Sequence, residues 1–310
     1  GFEYASDLPM RSQVFDVSEP VNVRAISDAE AAGLPDASLQ RLNIPFDTNS
    51  GAAKPILDYN TIKSIDADSL PEGWRYLPDI RRFLEGPLKA QERTLLGEDQ
   101  EQWLQQTLSR SQTRGSTWQV IGQQVLMGRL SIPVLTDEEL QLDQLPAAQA
   151  AQLKAMQFMG GQGVPLNLDA WDGYAACRAR VQANLLRYAA NPVVLAGDTH
   201  NAWAFNLRDE QANPVGVEVG TPGISSPGFE SYLPVAPEVL KAALLASSPE
   251  LVEAETQSRG WAEVELTPRA MRARWHYVST VLDRKYYIST SQTLICMAGD
   301  RAFSDDKKAN

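Results

Sequence analysis

The run Val193-Val194-Leu195-Ala196 is continuously apolar and is followed at once by Gly197-Asp198-Thr199-His200. A strand with one wet face alternates apolar and polar residues, whereas one that does not alternate is covered on both faces. This segment therefore has to lie inside a sheet with something packed above and below it. The residues before it supply one cover. Tyr174, Cys177, Val181, Leu185 and Tyr188 recur at spacings of three and four, which predicts a helix over 172–190 with one buried face, ended by Asn191-Pro192. Upstream, Glu98, Asp99 and Glu101 suit a first helical turn, and Trp103, Leu104 and Leu108 continue a stripe, so 98–109 reads as helix and 118–125 as strand. A further strand is expected at 215–219. Helices alternating with strands in this way make the fold class α/β, with helices outside a sheet.

The flanks differ in texture. Residues 1–90 are rich in Pro, Ser, Asn and Asp without sustained periodicity, and are expected to form an irregular wrapping segment. The main body is expected over 91–285. Within it, 130–165 reads as a surface insertion: acidic at 137–145, then Ala/Gln-rich and helical, closed by Gly160-Gly161-Gln162-Gly163. A surface helix is expected over 236–256. Strands 261–266 and 273–281 form a hairpin across Thr267-Pro268-Arg269, which makes the sheets mixed. Residues 286–310 are a C-terminal tail, frayed from 303 onward.

The chain carries 28 basic and 39 acidic residues, a net charge of -11, which argues against a nucleic-acid-binding surface or an anionic membrane as partner. No apolar run approaches the roughly 20 residues that span a bilayer. Cys177 and Cys296 lie far apart with no C-x-x-C spacing, so a zinc cage is not expected, and two buried free thiols are the simpler reading over a disulfide.

The chain has only two histidines. His200 follows Asp198 by two residues, just past a buried strand. If the backbone stays extended there, both side chains project to one side at the strand's C-terminal edge, where α/β sheets place their sites. Carboxylate with imidazole suits zinc, iron or manganese; the alternative is a capped strand end with a satisfied histidine. His276, in mid-hairpin between Trp275 and Tyr277, reads as structural. Asn167-Leu168-Asp169-Ala170-Trp171-Asp172-Gly173-Tyr174 gathers carboxylates, an amide and aromatic rings before a helix. Asp172 there is either an N-cap or, with Trp171 and Tyr174, part of a pocket wall. Thr221-Pro222-Gly223-Ile224-Ser225-Ser226-Pro227-Gly228 follows a strand but fails the G-x-S-x-G pattern, because Pro227 stands where glycine is needed. A serine hydrolase using Ser225 with a histidine is the minor alternative.

Five motifs occur in order: Arg93-Thr94-Leu95-Leu96-Gly97 with Gln100 and Trp103-Leu104; Trp118-Gln119-Val120-Ile121-Gly122-Gln123-Gln124-Val125; Asp169 to Tyr174; Val194 to His200; and Gly220-Thr221-Pro222 with Ser225 to Gly228. Together, over about 85–285, they resemble the PhoD-like alkaline phosphatases within the calcineurin-like metallophosphatases. The resemblance implies the C-terminal half of a four-layer α-β-β-α sandwich with mixed sheets. It implies hydrolysis of phosphate esters, with attack by a hydroxide held on two or more metal ions, iron and calcium being typical and zinc or manganese possible. Asp198 and His200 match the family's last metal motif, with His200 also a candidate catalytic residue. Gln124, Trp171, Asp172, Tyr174 and Asn201 are the candidates for the pocket or the residues behind the ligands. The family's upstream ligand motifs are not found in 1–90. The site is therefore expected to be completed by a complementary N-terminal chain of the same enzyme, periplasmic or secreted as family members are. A scaffold that has lost its upstream ligands is the alternative.

Overall fold

The computed structural model describes residues 9–19, 21–50, 53–66 and 70–304. The expectation for the last residues of the frayed tail falls on 305–310, outside the described residues. The chain divides into two compact units, one ending at Pro87 and one beginning at Leu88.

The N-terminal unit corrects the expectation of an irregular segment. Strand β1 (Ser12–Asp16) pairs with β2 (Arg24–Ile26) and β3 (Leu39–Asn43), and β4 (Pro45–Asp47) pairs with β5 (Lys54–Pro55) and β6 (Trp74–Tyr76), all antiparallel. Short helices α1 (Asp28–Ala31), α2 (Tyr59–Ser64) and α3 (Ile80–Glu85) start on side-chain caps from Ser27, Asp58 and Asp79. These elements are too short for periodicity to register. What holds them is a small cluster of Phe15, Ile44, Phe46 and Ile62.

In the C-terminal unit the helices are α4 (Gly97–Thr113), α5 (Ala147–Gly161), α6 (Ala175–Tyr188) and α7 (Pro237–Ser247). A five-stranded mixed sheet runs in the order β11 (Leu251–Glu255), β9 (Ala202–Arg208), β10 (Pro214–Gly220), β8 (Pro192–Ala196), β7 (Gln119–Gly122). β7, β8 and β10 are parallel; β9 and β11 are antiparallel to their neighbours. The apolar run of β8 is covered on both faces, as its composition requires. Val194 faces helix residues Val181, Leu185 and Leu244 in one core cluster. Val193 faces Met271, Ala273 and Trp275 of the second sheet in another. That sheet consists of β12 (Arg259–Leu266), β13 (Ala270–Val278), β14 (Ile288–Thr290) and β15 (Leu294–Met297). The fold is α/β: the five-stranded sheet is mixed, whereas the second sheet, which holds the expected hairpin, is antiparallel throughout. Each fully buried Val, Leu or Phe along these strands contributes about 1.5–3 kcal/mol.

Four further expectations are corrected. Strand 118–125 is shorter, Gln119–Gly122, and the chain then leaves it to pass over Glu218 and Phe205. The helix expected over 236–256 stops at Ser247, and 251–255 becomes the sheet-edge strand β11. The insertion at 130–165 is not peripheral: Leu140, Leu142, Leu153 and Met156 are buried in the main core. Part of the tail is sheet, since β14 and β15 both pair with β13. Cys177 and Cys296 are buried free thiols. Among the described residues no helix is long and apolar enough to cross a membrane.

Candidate metal-binding loop and its cleft

β8 ends at Ala196, and the next four residues do not continue it. Asp198 and His200 have φ of 68° and 62°, in the left-handed region that non-glycine residues seldom occupy. The side chains are therefore not directed by strand alternation, which corrects the geometric premise for pairing them. Such conformations persist only where the surroundings over-determine them, and they concentrate at functional sites.

The surroundings here do so. The Gly197 N–H donates to Gln124 O at 2.9 Å and the Thr199 N–H to Gly197 O at 2.8 Å. The Thr199 hydroxyl accepts the indole N–H of buried Trp203 at 2.6 Å. Asn201, fully buried, donates from Nδ2 to Thr199 O and accepts the Phe229 N–H on Oδ1. The Gly223 N–H donates to His200 O at 3.1 Å. A Cβ at Gly228 would come within 2.3 Å of Asn201 Oδ1, so the 221–228 loop can close on this turn only with glycine there.

Within this rigid frame the Asp198 and His200 side chains are exposed. His200 Nδ1 lies 2.8 Å from Pro227 O. A carbonyl oxygen can only accept, so Nδ1 is the donor, and in the neutral ring Nε2 carries the lone pair. Histidine ligands to metals are oriented in this way, by a backbone acceptor behind the ring.

Beside the loop lies an open cleft of about 1600 Å³, with Gln123, Gln124, Asp169, Trp171, Asp198 and Thr221 among its polar and aromatic lining. Its apolar wall includes Leu95, Leu96, Trp103, Leu104, Ile121 and Val125. Of the residues expected at the site, Gln124, Trp171 and Asp198 meet in this cleft. His200 and Asn201 stand on the loop outside its lining.

Asp172 and Tyr174 do not line the cleft. Asp172 is neither the helix N-cap nor a wall residue: it is buried, ion-paired at 2.5 Å with the equally buried Arg178, and it accepts the Leu130 N–H on its second oxygen. α6 begins only at Ala175, after a 3-10 turn at Trp171–Gly173. Tyr174 lies under the Arg93 guanidinium, 4.9 Å from ring centroid to Cζ. His276 is structural as expected, with both ring nitrogens bonded and the ring stacked on Trp261. No hydrogen bond joins His200 to Ser225 among the described residues. Gln123, whose Oε1 accepts the Trp171 indole N–H, was not singled out from sequence. The legible signal was a polar residue following an apolar strand directly.

The model of the PhoD-like phosphatase family matches residues 58–275. The chain belongs to this family. The PhoD-like match begins inside the N-terminal unit, upstream of the motifs that carry the resemblance. Alkaline phosphatase D of Bacillus subtilis (strain 168) is 33% identical over 118 residues, 37% of this chain and 15% of that protein. A solved chain described as the structure of PhoD aligns with a TM-score of 0.49 at 23% identity, covering 70% of this chain and 36% of that one. The chain thus spans well under half the length of the relatives it matches.

Proposed function

We propose that this chain contributes part of the active site of a metal-dependent phosphatase or phosphodiesterase, with Asp198 and His200 as metal ligands. The observation that carries the reading is the His200 ring held through Nδ1 by Pro227 O, with Nε2 left without a protein partner, on the same strained and braced turn that carries the exposed Asp198 carboxylate. This donor set fits a cation as far as it goes. Among the described residues no group of three or more His, Cys, Asp or Glu is placed to hold one. Further ligands come, on this reading, from a complementary N-terminal chain of the same enzyme. β7 supports that assignment. It pairs only with β8, its outer edge is unpaired among the described residues, and Val120 and Trp103 beside it are 45% and 61% exposed. An unpaired apolar edge next to an apolar cleft is where added strands would sit.

The ions, iron with calcium by family resemblance, would supply Lewis-acid stabilisation of a phosphate ester. The chain's own groups do the rest. Asp198 and His200 hold the cations, the braced turn keeps them from reorganising, and Trp171, Gln123 and Gln124 shape the cleft that receives the ester. A periplasmic or secreted location belongs to the same proposal.

Elemental analysis and phosphatase assay of the native material test it. Bound iron and calcium, with activity abolished by chelation and by His200→Ala, are expected, and native mass spectrometry should show a second polypeptide. A stable, metal-free preparation would instead indicate a scaffold, and chelator-resistant activity lost in Ser225→Ala a serine hydrolase. A solitary 34.1 kDa monomer with full activity would remove the complementary chain from the proposal.

A further inference from the structure

Between β7 and α5 the chain crosses one face of the sheet as irregular backbone, and the N–H groups of 127–131 are not paired with a strand. Five in succession are taken up by side chains. Met127 and Gly128 N–H donate to the two oxygens of Glu218 at 2.8 and 2.7 Å. Arg129 N–H donates to Glu250 at 3.4 Å, Leu130 N–H to Asp172 at 2.9 Å, and Ser131 N–H to the Ser248 hydroxyl at 3.0 Å. Three buried carboxylates thus hold one wall segment. Two of them have a cationic partner: Arg129 Nη1 reaches Glu250 at 2.6 Å, and Arg178 Nη1 reaches Asp172 at 2.5 Å. Glu218, fully buried in the middle of β10, has only N–H donors. They are the two backbone amides and, at 3.5 Å, Gln123 Nε2. A Cβ at Gly128 would lie 2.4 Å from the Phe205 ring, so the backbone approaches the sheet as closely as glycine allows.

This segment is one side of the cleft. Met127 and Gln123 line it, and Gln123 Oε1 accepts the indole N–H of Trp171, which lines it as well. We infer that Glu218 is a positioning residue for the cleft, fixing the Gln123–Met127 wall and, through Gln123, the Trp171 ring, and that opening of this wall is linked to the Glu218 proton. The inference goes beyond the functional proposal, because it concerns the wall whatever the cleft receives.

Burial pushes the Glu218 carboxyl up to about 7 from an ordinary 4.5, against the pull of the Met127 and Gly128 N–H groups; nearby Glu250 and Asp172 push the same way. Burial likewise raises Glu250, opposed by Arg129 and Arg178. In the closed wall the Glu218 pKa is raised; in an opened wall the carboxyl meets water and returns to its ordinary value. The neutral form therefore favours closure. That contribution is full below about 4.5 and is lost as pH rises through about 7. Between those limits opening releases the proton to bulk water; above about 7 the carboxyl is ionised in both forms and the pH dependence ends.

Hydrogen exchange of the wall amides across about pH 4–9, corrected for intrinsic exchange, tests this together with the ¹⁵N-edited resonance of the Trp171 indole, assigned by Trp171→Phe. In the wild type, protection over 123–131 should fall by up to about tenfold per pH unit between about 4.5 and about 7, the limit for one released proton, and level off above about 7. The indole signal should titrate with it. In Glu218→Gln both should be flat, whereas in Glu250→Gln both should persist. A flat wild-type profile overturns the inference, as does a slope that survives in Glu218→Gln or disappears only in Glu250→Gln. A slope shared by the whole core would report global unfolding and overturn it too. If Glu218→Gln fails to fold, the wild-type and Glu250→Gln profiles still decide.

Discussion

The chain's two histidines sit in regions built on opposite principles. In β13, His276 Nε2 meets Glu263 at 2.7 Å, Nδ1 meets the Thr290 hydroxyl at 3.0 Å, and the ring stacks on Trp261 at 5.1 Å. Every polar atom of that ring has a partner, and its backbone is ordinary strand. His200 has one bonded nitrogen, one open one, and a backbone in the left-handed region. The first arrangement spends its hydrogen-bonding capacity internally and supports a sheet; the second keeps capacity in reserve at the cost of strain. The same contrast separates two acids first grouped as site candidates. Both Asp172 oxygens are engaged inside the core, whereas Asp198 is exposed on the cleft. Complete satisfaction fits a structural residue; incomplete satisfaction on a braced backbone is what the proposed site requires.

Substitutions can break this division. If it holds, fully partnered groups cost stability when removed and half-partnered ones do not. The largest effect is expected at Asp172→Ala, which leaves Arg178 buried without its counter-ion and the Leu130 N–H unmet. Loss of one member of a buried pair costs about 3–5 kcal/mol, read as a lower midpoint in denaturant with unchanged slope. A value below about 1 kcal/mol, the range of exposed pairs, would return Asp172 to the pocket candidates.

A smaller effect is expected within the loop's own brace. Thr199→Val keeps the shape but strands the indole N–H of buried Trp203. An unmet buried donor costs about 1–3 kcal/mol. The change should also loosen Asp198 and His200 and lower metal uptake. Full stability together with full uptake in this variant would show that the turn does not depend on Thr199.

How much of this was legible follows the range of the interactions. Val193–Ala196 declared a doubly covered strand because burial on both faces removes alternation, and α6 declared itself by spacing. Ala202–Arg208 was missed although it is equally central: Asn206 and Arg208 interrupt its apolar run, and its pairing with β10 and β11 is set by partners distant in sequence. Leu251–Glu255 carries two glutamates in five residues and is a strand only because β9 offers it an edge. Asp198 and His200 stand out by residue type and motif order, but their left-handed backbone depends on Thr199, Asn201 and the 221–228 loop meeting in space. Glu218 offered a signal that was not used: a carboxylate between Val217 and Val219 in a strand buried on both faces has to be held by something.

The smallest stability effect is expected at His200 itself, and it is the sharpest test of the contrast. Asparagine tolerates the left-handed region better than other side chains of its size. It can also donate its amide N–H toward Pro227 O in place of Nδ1–H. His200→Asn therefore keeps what the fold requires of this position and removes only the open imidazole nitrogen. Away from the core, such a change should stay within about 0.5 kcal/mol of wild type, while metal uptake measured by elemental analysis should be lost. The matching change at His276 should behave in reverse. His276→Asn leaves Glu263 and Thr290 without the ring between them and exposes the Trp261 face, with no effect on bound metal. Were His200→Asn to unfold the loop and retain the metal, the open nitrogen would be incidental, and the bonded one would be the reason this histidine is there.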